Sequence, residues 1–154
     1  TYNMLAVART KPAHRGPTPS YHTGDAMRLP VADASVDVVS IAFGIRNVAD
    51  PRAAIAEFHR VLRSGGRLVI LEFSLPTNPV LLGLYNIYFR HVVPRTATWI
   101  SRDKTGAYKY LPQSVNTFID REAMLGMMKG AGFVEATPRP MTFGIAVAYR
   151  GVKR

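Results

Sequence analysis

The 154-residue chain contains no cysteine, which excludes disulfides, thiol nucleophiles and cysteine-based metal sites and fits a reducing compartment. Acidic residues are also few, because 10 Asp and Glu stand against 20 Lys and Arg and give a formal net charge of +10. The longest apolar run, residues 80–93, is interrupted by Asn86, Arg90 and His91, and it falls short of the roughly 20 residues that cross a bilayer. We therefore expect a single cytoplasmic domain without a membrane span.

The excess of basic residues limits the kinds of partner that the protein surface would attract, but it does not identify one of them. Such a surface attracts nucleic acid, anionic lipid headgroups or acidic ligands. The basic residues are scattered along the chain and do not form one run, so an ordinary solvated surface is an equal alternative. Among functional partners we favour membrane lipid.

A glycine-rich turn between a first strand and a helix, which cradles the cofactor in doubly wound α/β sheets, is lacking as well. Gly24, Gly44, the Gly65-Gly66 pair and Gly130 with Gly132 all stand in other sequence contexts. Either the fold is unusual, or the turn belongs to residues upstream of Thr1.

A strand–helix–strand unit occupies the middle of the chain. The β-branched, apolar run 36–43 predicts a strand that is buried on both faces, as parallel strands are. Asp50 and Pro51 then open a helix as N-cap and first helical residue. We expect Gly65 and Gly66 to end this helix and residues 67–73 to form a second buried strand. The repeating unit predicts a parallel sheet in an α/β fold.

Other elements follow from local patterns. Asp120 should cap a helix with Ala123, Met124, Met127 and Met128 on its apolar side, ended by the glycines before Phe133. The remaining predictions are a helix over 2–9, a short strand over 20–23, a long aromatic-rich insertion from 75 to 117, and strands near 134–139 and 144–151. A connection as long as the insertion usually covers a site.

Three blocks of the sequence resemble the ubiquinone/menaquinone C-methyltransferase family at matching spacing. The first is Gly24-Asp-Ala-Met-Arg-Leu-Pro30 followed by Asp37, and the second is Phe43-Gly-Ile-Arg-Asn-Val48. The third runs from Arg60 to Ser74, with Arg63 where Lys is usual and Ser64 where Pro is usual. The resemblance covers nearly the whole chain.

The resemblance implies a Rossmann-like class I methyltransferase sheet that binds S-adenosylmethionine. It also implies C-methylation of a polyprenylated quinol precursor, either demethylmenaquinol or a 2-polyprenyl-6-methoxy-benzoquinol. Residues 1–154 would be the C-terminal part of one methyltransferase domain, with the insertion at about 75–117 covering the substrate. The first two strands and the glycine-rich motif would precede Thr1, so we do not expect this segment to fold or catalyse alone.

Site residues are carried over by position. Asp25 and Ala26 should meet the adenine, and Ala42 stands where the family often has Ser, so that only its backbone can serve the cofactor. Arg46 and Asn47 follow the first predicted strand and His91 lies in the insertion; these three are the candidate catalytic residues. A structural Arg-carboxylate clamp is the alternative role for Arg46. The candidate substrate contacts follow from their places at the end of the second predicted strand and in the insertion, and not from the resemblance: Glu72, Ser74, Tyr85, Tyr88, Phe89, Tyr108 and Tyr110. For any single one of these aromatic residues, ordinary core is the alternative.

Chemistry limits the roles of these residues. Methyl transfer from a sulfonium to carbon needs an aligned, electron-rich ring, and a cation beside the ring oxygen would stabilise the developing phenolate. A guanidinium is not deprotonated in proteins, so an electrostatic role suits Arg46, whereas the ordinary pKa of His suits His91 as a proton acceptor. Glu72 could instead hold the loop at the sheet edge.

Two other functions stay open. One is a methyltransferase for another small molecule or for RNA, although no nucleic-acid module or Asn-Pro-Pro-Tyr motif is present and we expect no nucleic-acid partner. The other is a non-catalytic scaffold of quinone biosynthesis. For the enzyme we expect peripheral contact with the inner face of an anionic membrane, we expect no metal, and a homodimer is left open.

Overall fold

The computed structural model describes residues 2–11, 19–88 and 119–154. Their strands form one four-stranded sheet of order β1-β2-β4-β3. The strands are β1 (Val36–Ala42), β2 (Leu62–Phe73), β3 (Phe133–Met141) and β4 (Ala146–Lys153). The α-helices are α1 (Tyr2–Thr10), α2 (Pro51–Val61), α3 (Pro79–Ile87) and α4 (Arg121–Gly130), and short 3-10 turns cover Ile45–Asn47 and Thr142–Gly144.

The sheet is mixed, which corrects the expectation of a parallel sheet. β1 and β2 run parallel, as predicted, but β4 inserts between β2 and β3 and runs antiparallel to both. The β3–β4 connection is a tight turn, and two strands joined by such a turn must be antiparallel. The α/β class is confirmed, and the carboxyl ends of β1 and β2 lie side by side.

Helix α2 begins as predicted. The Asp50 carboxylate accepts hydrogen bonds from the backbone N–H groups of Arg52 (2.9 Å) and Ala53 (3.2 Å), and Pro51 is the first helical residue. These bonds satisfy donors that no helical carbonyl can reach. The helix therefore has a defined start, shortly after the 3-10 turn that carries Arg46.

The end of α2 corrects the sequence prediction. The helix stops at Val61, and Leu62 already has extended backbone angles as the first residue of β2. Gly65 and Gly66 lie inside β2, where the register jumps from Val36↔Leu62 to Val38↔Arg67. Gly65 has φ +77°, a conformation that side-chain-bearing residues rarely adopt, so the glycine pair makes a bulge and does not cap the helix.

Burial of β1 is also less than predicted. The strand lies at one edge of the sheet, and its side chains alternate between half-buried and exposed, with Val38 52% exposed. Among the described residues, no strand lies beyond β1. The expectation of a strand buried on both faces is wrong for this part of the chain.

The core lies between one face of the sheet and helices α2 and α4. Alternate residues of β2 point into it, beginning with Leu68 and Ile70. Met124, Met127 and Met128 of α4 are buried there as predicted, whereas Ala123, in the first turn beside the capping Asp120, is exposed and corrects its prediction. Further members are Ile45, Ala54, Ile55, Phe58, Leu62, Phe133, Val147 and Tyr149.

The segment before β1 differs from its prediction in one place. The helix expected over 2–9 is present as α1, but residues 20–23 form no strand. A turn follows instead, closed by an isolated bridge between Asp25 and Arg28. Arg60 ties the next residues to α2 by donating to the backbone oxygens of Leu29 (3.3 Å) and Val31 (2.9 Å).

The predictions for the last strands and for the insertion have different outcomes. The strands expected near 134–139 and 144–151 are confirmed as β3 and β4. Only the start of the predicted insertion, including α3, lies within the described residues, so its role as a cover stays a prediction. No helix in the described ranges combines the length and the apolar character needed to cross a membrane.

Candidate active site at the strand ends

A buried ion pair joins the carboxyl ends of β1 and β2. Arg46 Nη1 lies 2.5 Å from Glu72 Oε1, and the two side chains are 10% and 1% exposed. Glu72 Oε1 also accepts from the Phe73 backbone N–H at 2.9 Å, and Glu72 Oε2 lies 3.4 Å from the Arg46 backbone nitrogen. Glu72 occupies the core-facing side of β2, in line with Leu68 and Ile70, so a carboxylate ends a row of apolar side chains.

The rest of the Arg46 guanidinium is held by the loop that precedes it. Nη1 donates to the backbone oxygen of Phe43 at 2.9 Å, and the guanidinium carbon lies 5.2 Å from the centre of the Phe73 ring. Arg46 Nε is buried and has no hydrogen-bond partner in the described residues. The Arg-carboxylate clamp considered from the sequence is therefore present, while the catalytic role of Arg46 stays a prediction.

Phe43 marks the same edge by its strained backbone. It has φ +54°, an uncommon conformation for a bulky residue, and strained residues cluster at functional sites. Its backbone N–H donates to Leu71 O at 2.8 Å, and its ring packs against that of Phe73 with centroids 4.5 Å apart. The Phe43 side chain is still 38% exposed, which leaves an aromatic face at the strand ends beside Arg46.

Ser74, which follows the last residue of β2, is held by contacts with Arg121 and Ile145. Its hydroxyl accepts from Arg121 Nε at 3.1 Å, and its backbone N–H donates to Ile145 O at 2.9 Å. Arg121 Nη2 also donates to Leu75 O (3.0 Å) and Gly144 O (3.1 Å). Arg121 therefore joins the start of α4, the exit of β2 and the β3–β4 turn, while the predicted contact of Ser74 with substrate stays a prediction.

An apolar cavity of about 240 Å³ adjoins this corner. Tyr85 of α3 and Tyr88, which follows the last residue of α3, line it, as does Phe143, which is 82% exposed on the left-handed β3–β4 turn. Burial raises the pKa of Tyr85. Pro76, Leu81, Leu84 and Ile145 complete the lining. The hydrogen bond from Ser74 to Ile145 connects the cavity to the end of β2.

The predicted cofactor residues occupy two elements. Asp25 is exposed in the turn before β1, and its Oδ1 accepts from the Met27 backbone N–H at 2.9 Å. Ala26 is half-buried against the core, and Ala42 is exposed at the end of β1, next to Phe43. Their adenine contacts stay predictions.

The other predicted residues divide by what the structure describes. Asn47 is exposed in the 3-10 turn with Arg46, and its backbone N–H donates to Gly44 O at 3.0 Å. His91, Phe89, Tyr108 and Tyr110 lie outside the described residues. Of the candidate residues, the structure thus brings together Arg46 with Glu72, and Tyr85 with Tyr88.

Sequence reasoning missed Phe43, Phe73 and Arg121 as parts of this corner. The Phe43-Gly44 pair at the end of a predicted strand is a usable signal, because glycine marks turns. No local pattern points to Arg121, whose hydrogen-bond partners lie 23 to 47 positions away in the chain.

Comparison with known proteins identifies the family. The model of the ubiE/COQ5 methyltransferase family matches residues 1–153. The chain belongs to this family. It is 50% identical over 125 residues to the ubiquinone/menaquinone biosynthesis C-methyltransferase UbiE of Syntrophotalea carbinolica, covering 81% of this chain and 52% of that protein. It is 44% identical over 151 residues to the demethylmenaquinone methyltransferase of Deinococcus radiodurans, covering 98% of this chain and 62% of that protein.

The chain therefore spans between about half and two thirds of the length of these curated relatives.

Solved structures agree on the fold. A SAM-dependent methyltransferase of Thermotoga maritima matches with a TM-score of 0.53 at 21% identity, covering 85% of this chain and 62% of that one. One from Aquifex aeolicus matches with a TM-score of 0.55 at 10% identity, covering 88% and 55%. The predicted class I methyltransferase fold is confirmed.

Proposed function

We propose that the protein transfers a methyl group from S-adenosylmethionine to a ring carbon of a polyprenylated quinol, either demethylmenaquinol or a 2-polyprenyl-6-methoxy-benzoquinol. The observation that carries the proposal is the family match over residues 1–153. The names of the two relatives described above cover both kinds of quinone.

The described residues suit the adenine end of the cofactor. The exposed Asp25 carboxylate can accept from an exocyclic amine, and the small side chain of Ala42 leaves its surroundings open beside the exposed Phe43 ring. When bound, S-adenosylmethionine supplies an electrophilic methyl group on a sulfonium. The chain itself need provide no nucleophile, because the attacking carbon belongs to the quinol.

Arg46 is the residue that we assign to the reaction. Its guanidinium lies at the strand ends, where ligands bind in open α/β sheets, and it is 10% exposed. A fixed cation there would stabilise the phenolate that makes the ring carbon nucleophilic, and it would need no reorganisation during transfer. The Phe43 ring beside it offers a face on which an aromatic ring can lie.

The apolar cavity gives the substrate tail a place. Its lining is almost wholly carbon and includes Tyr85, Tyr88 and Phe143. A prenyl chain buried there would gain roughly 25 cal/mol for each Å² removed from water. We assign Tyr85 and Tyr88 to the tail and leave the number of prenyl units open.

We also propose peripheral contact with an anionic membrane. Val80, Leu84 and Ile87 of α3 are each about 60–70% exposed, and no charged residue occurs within the helix. With a net charge of +10, the protein would approach anionic headgroups electrostatically and insert this apolar face. A lipid-resident substrate could then enter beside α3.

The test uses the full-length gene product with methyl-labelled S-adenosylmethionine and each quinol in turn. Arg46→Gln should lower kcat by about 10²- to 10³-fold, the range seen when one preorganised donor to a developing anion is removed. Arg52→Gln is the matched control. Arg52 is exposed in the first turn of α2, so this variant should act like wild type. Full kcat in Arg46→Gln would contradict the assignment of Arg46.

A further inference from the structure

We propose that Glu72 is the positioning residue of this site and acts on methyl transfer through Arg46. The inference rests on the proposed function and deepens it. Glu72 is 1% exposed and is the one charged side chain buried to this degree among the described residues. A buried carboxylate without a partner would be costly, so its environment must compensate its charge.

The contacts of Glu72 converge on one neighbour. Oε1 binds Arg46 Nη1 at 2.5 Å, and Oε2 lies 3.4 Å from the Arg46 backbone nitrogen, so the carboxylate faces both the side chain and the main chain of that residue. The third contact, from the Phe73 N–H at 2.9 Å, fixes the carboxylate on β2. Glu72 therefore links the 3-10 turn to the end of the neighbouring strand.

Arg46 has little else to hold it. Besides Glu72, its guanidinium has the Phe43 carbonyl oxygen and the face of the Phe73 ring, and its Nε is buried without a hydrogen-bond partner in the described residues. A buried, unpaired donor is unfavourable and would gain from moving toward water. Without the Glu72 charge, the guanidinium should turn out of the strand-end corner.

The position of Glu72 argues against direct contact with substrate. It occupies the core-facing row of β2, and its carboxylate is turned toward Arg46 in the 3-10 turn. From the sequence, Glu72 could either contact the substrate or hold the loop at the sheet edge, and its contacts with Arg46 and Phe73 favour the second role. Its influence on the reaction must then pass through the guanidinium.

The experiment is a kinetic double-mutant cycle in the full-length gene product. Glu72→Gln keeps the shape of the side chain and removes its charge, and it should lower kcat about tenfold to a hundredfold with KM within roughly twofold, as small misplacements of catalytic groups do. In an Arg46→Gln background, the same change should lower kcat by roughly twofold or less, because residues that act as one unit are not additive. Asp37→Asn is the matched control, since it breaks the exposed 2.5 Å pair with Arg63 near the opposite end of the strands.

Each outcome decides the inference. If Glu72→Gln fails to fold, Glu72→Asp takes its place in the same cycle, because it keeps the charge but withdraws it from Arg46. A loss that is equal in both backgrounds, or a change in KM alone, would overturn the positioning role while leaving the proposed function intact. Absence of methyl transfer by the wild-type protein would overturn the proposed function and this inference with it.

Discussion

A substitution at Gly66 is the most direct test of the bulge that Gly65 and Gly66 make inside β2. A Cβ at this position would lie 2.8 Å from Arg63 O, 3.0 Å from Leu62 Cδ2 and 3.2 Å from Asp37 O. Two of these atoms are backbone oxygens, so relief of the clash requires the bulge itself to open. Gly66→Ala should therefore destabilise the protein, even though alanine reduces the entropy of the unfolded chain.

The magnitude follows from the cost of overpacking, about 1–3 kcal/mol. For a protein of this size, each kcal/mol shifts Tm by roughly 2–4 °C, so Gly66→Ala should lower Tm by about 2–12 °C. Scanning calorimetry and urea unfolding of the full-length gene product would measure both quantities.

Gly126→Ala is the matched control for Gly66→Ala. Gly126 lies inside α4, and a Cβ there would meet nothing within 4 Å. Alanine should add about 0.5–1 kcal/mol of stability at such a helical position. If Gly66→Ala were as stable as wild type, or if Gly126→Ala lost as much stability, the description of the bulge would be refuted.

Two further predictions concern the membrane and pH. At low salt the protein should co-sediment with anionic vesicles more than with neutral ones. Leu84→Ser should weaken this binding more than the control Val7→Ser, because the Val7 side chain is equally exposed but lies on α1. Equal binding by both variants would contradict a role for α3. Burial and, secondarily, the Lys153 ammonium hold the pKa of His59 below its ordinary 6.5. The unfolded chain therefore binds this proton more readily, so the free energy of unfolding should fall as pH drops below about 6.5, and His59→Gln should reduce that slope in urea titrations; an unchanged slope would refute the assignment.

Local signals in the sequence were sufficient for the elements whose structure is set locally. Asp50 and Pro51 predict the start of α2, and the spacing of Met124, Met127 and Met128 predicts the buried side of α4, because capping and helical periodicity act within a few residues. The end of α2 was misplaced because a glycine pair serves equally as a helix terminator or a bulge. Only pairing with β1 decides between these roles.

The features that local patterns did not predict depend on contacts between residues far apart in the sequence. The contact between Arg46 and Glu72 joins residues 26 positions apart, and no local pattern distinguishes it from a contact with substrate. The antiparallel position of β4 likewise depends on its pairing with both β2 and β3, which local patterns do not show. The family resemblance supplied the fold and the residue types of the site, whereas the clamp between them required the structure.

The central claim is methyl transfer to a quinol carbon. The measurement that tests it most directly is mass spectrometry of the quinol after incubation with the full-length gene product and S-adenosylmethionine carrying a ¹³C-labelled methyl group. We predict one labelled methyl group on a ring carbon of demethylmenaquinol or of the benzoquinol precursor. Folded protein that leaves both quinols unlabelled, or that labels an oxygen, would contradict it.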